Sequence, residues 1–214
     1  MPFSAPFIGV SRNRLTTDGF GVTTLAAFWG CSLDCRYCLN PQCKDENPPA
    51  IFTVEELYHH VRKDDLYFLA TGGGVTFGGG EPCLYPDFIT SFRAFCGTQW
   101  NITLETGLHV PLENIETLYS VVDDYIVDIK DMNLDIYKRY TGKDNELTVR
   151  NLKWLVEQGK ADRITVRVPR IPDFNTEQDI ENSIRKLKEL GITKMDIFAY
   201  IIKTSKDESR KKNL

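Results

Sequence analysis

Three cysteines, Cys31, Cys35 and Cys38, stand in a C-x3-C-x2-C spacing directly after a β-branched and aromatic run, Gly21 to Gly30. Three thiolates this close together can hold three irons of a cubane cluster, and a fourth iron would then lack a protein ligand and be free to bind a substrate. The competing chemistry is a structural zinc site that recruits Cys43 as a fourth thiolate. Zinc ligands usually come as two separated pairs brought together across a turn, whereas these four lie inside thirteen residues. The spacing favours the cluster.

Three further groups have chemical potential. Gly72-Gly73-Gly74-Val75-Thr76-Phe77-Gly78-Gly79-Gly80-Glu81-Pro82 combines a glycine-rich backbone, able to approach a ligand closely, with one carboxylate. A flexible turn is the plainer reading of such a run. Asp128-Ile129-Lys130 ends an apolar strand. Residues two apart in a strand share a face, so Asp128 and Lys130 point the same way. Two charges facing a barrel interior are costly unless paired or bound to a ligand, and an ion pair kept for stability alone stays open. Glu105-Thr106 and Arg167 are weaker signals, each able to be an ordinary paired or solvated residue.

The elements that must position these groups alternate. Strands are expected at 21–30, 75–77, 101–106, 124–130, 164–171 and 195–201, from short β-branched runs bounded by turn residues. Between them lie helical patterns. Thr53-Val54-Glu55-Glu56 is a capping box opening a helix to about Lys63. Pro86 suits the first turn of the next helix. Gly159 and Gly191 read as helix ends. Six such alternations over 214 residues predict an α/β fold, an incomplete (βα)6 parallel barrel, or partial TIM barrel. The chemistry-bearing residues fall mostly at or beyond C-terminal strand ends, the rim where βα barrels assemble active sites.

One domain over 1–214 is expected, with 1–16 an N-terminal extension and 203–214 a charged tail. The net charge of −4 gives no basic footprint for nucleic acid or an anionic membrane. No apolar run reaches the length that spans a bilayer. The N-terminus lacks a signal-peptide pattern, so the expected location is cytoplasmic. With four of six cysteines crowded together, metal binding is favoured over disulfides in a reducing compartment.

These residues resemble a known family. Cys-x3-Cys-x2-Cys, with Tyr37 before the third cysteine, is similar to the hallmark of the radical S-adenosylmethionine (SAM) superfamily, and Gly79-Gly80-Glu81-Pro82 to its SAM-binding segment. The closer resemblance is to the glycyl-radical-enzyme activating enzymes, of the pyruvate formate-lyase activating type. It rests on Thr17 to Val22, Tyr37 to Pro41, Gly74 to Pro82, Asp128-Ile129-Lys130, Tyr140-Thr141-Gly142 and Arg167 to Asn175, and spans roughly residues 17 to 200. Leu39, Phe20 and Thr23 depart from the pattern, standing where that family has His, Pro and Arg.

The resemblance implies roles. Cys31, Cys35 and Cys38 would ligate a [4Fe–4S] cluster. Gly79, Gly80 and Glu81 would hold the methionine end of SAM, partly through backbone groups. Lys130 and Arg167 would stabilise its carboxylate and ribose side, and Tyr37 would pack near the adenine. A monovalent cation is implied at Glu105, Thr106, the carbonyl of Ile126 and Asp128. Reductive cleavage of SAM would follow, with flavodoxin or ferredoxin as reductant and a glycyl radical enzyme as partner; neither nucleic acid nor membrane is expected as a partner. Two rival functions stay open: a radical SAM enzyme acting on a small molecule or peptide, and a non-enzymatic zinc-binding module.

Overall fold

The computed structural model describes residues 3–200; the charged tail expected over 203–214 lies outside them. Eight strands form one open sheet. β1 (Ser4–Leu15) pairs antiparallel with both β2 (Val22–Phe28) and β3 (Ala50–Thr53). From β2 onward the pairing is parallel, through β4 (Gly74–Gly79), β5 (Asn101–Thr106), β6 (Asp124–Asp128), β7 (Ile164–Arg170) and β8 (Lys194–Ala199). The order is β3-β1-β2-β4-β5-β6-β7-β8, so the sheet curls without closing. The six parallel strands are those expected from the sequence, and the partial barrel stands.

The helices are α1 (Val54–Val61), α2 (Asp65–Thr71), α3 (Pro86–Cys96), α4 (Leu112–Leu118), α5 (Leu134–Thr141), α6 (Glu146–Glu157) and α7 (Glu177–Glu189). The capping box at α1 forms: the Glu56 amide donates to Thr53 Oγ1 at 3.2 Å, and the Thr53 amide donates to Glu56 Oε2 at 2.8 Å. The N-terminal extension is a sheet strand rather than an appendage, and β3, α2 and α5 were not foreseen. β1 alternates poorly because its second half carries three successive exposed polar residues, Ser11 to Asn13.

Strand alternation sorts side chains onto two faces. Phe77, Ile102, Leu104, Tyr125, Val127, Val166 and Val168 form the core against the helices. Thr103, Ile126, Thr165 and Arg167 line the space inside the curl, as do Glu105 and Asp128 further along the same strands. The lumen is therefore polar, and the hydrophobic core is the layer outside it. Burial of that layer, at about 25 cal/mol per Å² of apolar surface, drives the fold. The segment after β1 crosses the lumen. The Thr76 hydroxyl donates to the Asp18 carbonyl, and Arg167 donates to the Thr17 carbonyl at 2.7 Å.

Candidate active site

Two cavities open into the barrel. The larger, about 830 Å³, lies among the N-terminal strand ends, near Asn101, Asp124 and Lys194. The other, about 570 Å³, lies at the C-terminal ends, and Cys31, Cys35 and Cys38 line it together with Gly79, Gly80, Glu81, Asp128, Lys130 and Arg167. Size does not decide between them. The smaller gathers the thiols and charges on the rim where βα barrels do chemistry.

The cysteine loop leaves β2 at Phe28 and is pinned on three sides. The Gly30 amide donates to the Cys43 carbonyl at 2.9 Å, and the Glu81 amide donates to the Gly30 carbonyl at 2.8 Å. The amides of Asp34 and Arg36 donate to the carbonyls of Thr141 and Tyr140 at the end of α5, at 2.8 and 3.1 Å. Tyr140-Thr141-Gly142 is thus the seat of the cysteine loop. The Asn40 side chain ties the loop to the glycine segment by donating to the Gly79 carbonyl at 3.0 Å.

Gly80 is glycine for packing. A Cβ there would lie 2.1 Å from the Gly30 carbonyl oxygen. The close approach is between two stretches of backbone, which refines the expectation that these glycines serve a ligand.

Glu81 is also turned inward. Its carboxylate accepts from the Thr106 hydroxyl at 2.6 Å, the Gly107 amide at 2.9 Å and the Cys83 amide at 3.1 Å, and the residue is 1% exposed. Burial raises its pKa against those hydrogen bonds. The side chain brackets two loops, so only its backbone is free for a ligand.

Lys130 Nζ lies 3.1 Å from Asp128 Oδ2, on the shared face the alternation predicts. Burial opposes the Lys130 charge, but Asp128, with Cys35 beyond it, outweighs burial and holds the ammonium above its ordinary pKa. Arg167 pairs with Glu105 across the lumen. Burial again works against the charge, and Glu105 and Asp128 outweigh it. Tyr37 meets Tyr140 and Phe174 edge to face, at 6.0 and 5.8 Å between ring centroids.

Of the positions implied for a monovalent cation, Glu105, Thr106 and Asp128 line this cavity, and Glu105 is paired with Arg167. Thr106 faces away from Glu105, into Glu81. Among the described residues no three His, Cys, Asp or Glu side chains close on a single metal ion. A cubane asks each thiolate to hold a different iron, so convergence on one point is not its requirement. Burial, with Glu81 nearby, pushes the Cys31 thiol up to about 12, and burial raises Cys35. Such thiols ionise readily only against a metal, whose binding releases the proton. Three thiols on one wall of a roomy cavity fit the cluster.

Arg14, Asp18 and Tyr200 also face this cavity and were not singled out as site residues. Asp18 lay inside a segment carrying the family resemblance, which was its only signal. Arg14 and Tyr200 had none.

Residues 28–187 match the Radical SAM superfamily. The chain belongs to the radical SAM superfamily. Within it, the chain is 31% identical to the pyruvate formate-lyase-activating enzyme of Clostridium pasteurianum, over 86% of this chain and 77% of that one. It is 36% identical to the (2S)-3-sulfopropanediol dehydratase activating enzyme of Klebsiella oxytoca, over 65% of this chain and 44% of the relative. The fold resembles Streptococcus suis SuiB bound to S-adenosylmethionine, with a TM-score of 0.65, 16% identity, and coverage of 82% of this chain and 39% of that one. This radical SAM chain therefore spans three quarters of one activating-enzyme relative and under half of the other. Membership implies a [4Fe–4S] cluster and SAM. No helix among the described residues is long and apolar enough to cross a membrane.

Proposed function

We propose that this chain cleaves SAM reductively and generates a glycyl radical on a partner enzyme. The observation that carries it is the meeting of Cys31, Cys35 and Cys38 with Gly79, Gly80, Lys130 and Arg167 around one cavity. The activating-enzyme names of the relatives support the partner. When bound, the reduced cluster and SAM supply a 5′-deoxyadenosyl radical able to take a hydrogen from a glycine.

The chain's own residues then have defined work. The three cysteines would hold the cluster, each thiol releasing its proton to solvent as its sulfur binds iron. Lys130 and Arg167, kept charged by Asp128 and Glu105, attract the SAM carboxylate. Backbone groups of Gly79 and Gly80 face the methionine end, and Tyr37 covers the adenine side. Flavodoxin or ferredoxin is the proposed electron donor and the cytoplasm the proposed location.

The test is anaerobic reconstitution with iron and sulfide, then dithionite reduction with SAM. About four irons per chain, the stoichiometry of one cubane, and release of 5′-deoxyadenosine are expected. Zinc bound without iron or sulfide would overturn the reading. A glycyl-radical EPR doublet on a co-purified partner would establish the second half, and turnover on a small molecule or peptide alone would replace it.

A further inference from the structure

The charges facing the cysteine-lined cavity are already paired. Arg14 pairs with Asp18, Lys130 with Asp128 and Arg167 with Glu105. The one remaining carboxylate on the wall, Glu81, is held by three neutral donors. The monovalent cation implied by the family resemblance would need Glu105, whose charge is already paired through Oε1 with the Arg167 guanidinium. Its side chain reaches from β5 to Arg167 on β7, past the whole width of β6, a span of roughly 9.5 Å at ordinary strand spacing. The guanidinium is also anchored on the far side, donating to the Thr17 carbonyl at 2.7 Å, with Asp196 at 3.9 Å. Thr106 is spent on Glu81 and on accepting the Leu108 amide at 2.8 Å. A small ion entering here would have to displace a multiply bonded guanidinium from a partly buried pair, leaving one charge without its partner.

We propose that this SAM site is charge-complete without a monovalent metal ion, the Arg167 guanidinium held by Glu105 standing where such an ion would sit. Side-chain length is the cause: an aspartate at 105 would be one methylene short of Arg167 and would leave its carboxylate open to an ion.

The inference rests on the SAM-binding reading, and the experiment separates the two. SAM is titrated calorimetrically, without oxygen, into the reconstituted holoenzyme in sodium, potassium or tetramethylammonium chloride at equal ionic strength. Dissociation constants within threefold of one another are expected. Binding weakened threefold or more in tetramethylammonium would overturn the inference while leaving the SAM site intact. Absence of SAM binding in every salt would overturn both. Glu105→Asp is expected to acquire the dependence, binding SAM at least threefold more tightly in sodium or potassium; the same insensitivity in this variant would overturn the assignment to the Glu105–Arg167 pair.

Discussion

The Thr106 hydroxyl donates to the Glu81 carboxylate at 2.6 Å, buried and 25 residues apart in sequence. This bond joins the loop after β4 to the end of β5 and so holds the two loops that flank the cysteines. Thr106→Val keeps the shape but removes the donor and orphans the Leu108 amide. An unsatisfied buried group costs about 1–3 kcal/mol. Urea denaturation should show a loss of that size, and an unchanged midpoint would mean the bracket carries no stability.

The same carboxylate predicts a pH dependence. Burial raises the Glu81 pKa in the folded state. An acid with a raised folded pKa binds its proton more tightly in the folded than in the unfolded chain. Stability linked to it is present below the unfolded value, near 4.3, and is lost as pH rises through the folded value. Glu81→Gln removes this titration. The stability difference between the variant and the parent chain should move in the variant's favour as pH rises through that window. A difference independent of pH would show that Glu81 does not titrate there.

Asp64 behaves in the opposite sense. It is buried, accepts from Arg12 Nε at 2.9 Å and from the Thr24 hydroxyl at 2.6 Å, and ties β1 and β2 to the start of α2. Burial would raise its pKa, but these two donors outweigh burial and lower it. Its stabilisation is full above the unfolded carboxylate value and is lost as pH falls through the folded one. Asp64→Asn should destabilise the chain at neutral pH, and by less than a fully buried pair would, because Arg12 is exposed and its charge is screened by solvent. The deficit should shrink in acid.

Gly80→Ala should be far more damaging than its size suggests. Its Cβ would sit 2.1 Å from the Gly30 carbonyl oxygen, and neither backbone can yield without moving the cysteine loop. Iron retained after reconstitution should fall severalfold. Gly9→Ala, whose Cβ would meet nothing within 4 Å, should reconstitute like the parent chain. Equal iron contents in the two variants would contradict the packing role.

Cys31→Ala, Cys35→Ala and Cys38→Ala should each abolish SAM cleavage, while Cys96→Ala, on α3 and away from the cavity, should not. Asp128→Ala should leave iron content unchanged and weaken SAM binding, because Lys130 would lose the partner that keeps it charged and placed. Unchanged affinity would leave Asp128 and Lys130 as an ion pair kept for stability alone.

The sequence by itself determined the candidate ligands and their order. Three cysteines at fixed spacing, six β-branched runs separated by helical patterns, and Asp128 and Lys130 two apart on one strand were all local features, and local spacing survives folding. Strand period also assigned Arg167 to the face opposite Val166 and Val168. What spacing could not supply was which neighbour each face meets. β1 stayed hidden because its second half, polar, exposed and beyond the reach of the short β3, has no clean alternation. The pairing of Arg14 with Asp18, the reach of Glu105 to Arg167 and the inward turn of Glu81 join groups from different strands and loops. Each depends on how far the sheet curls and which loops it brings together. Period two names a face, and only the curvature of the open sheet decides what stands across from it.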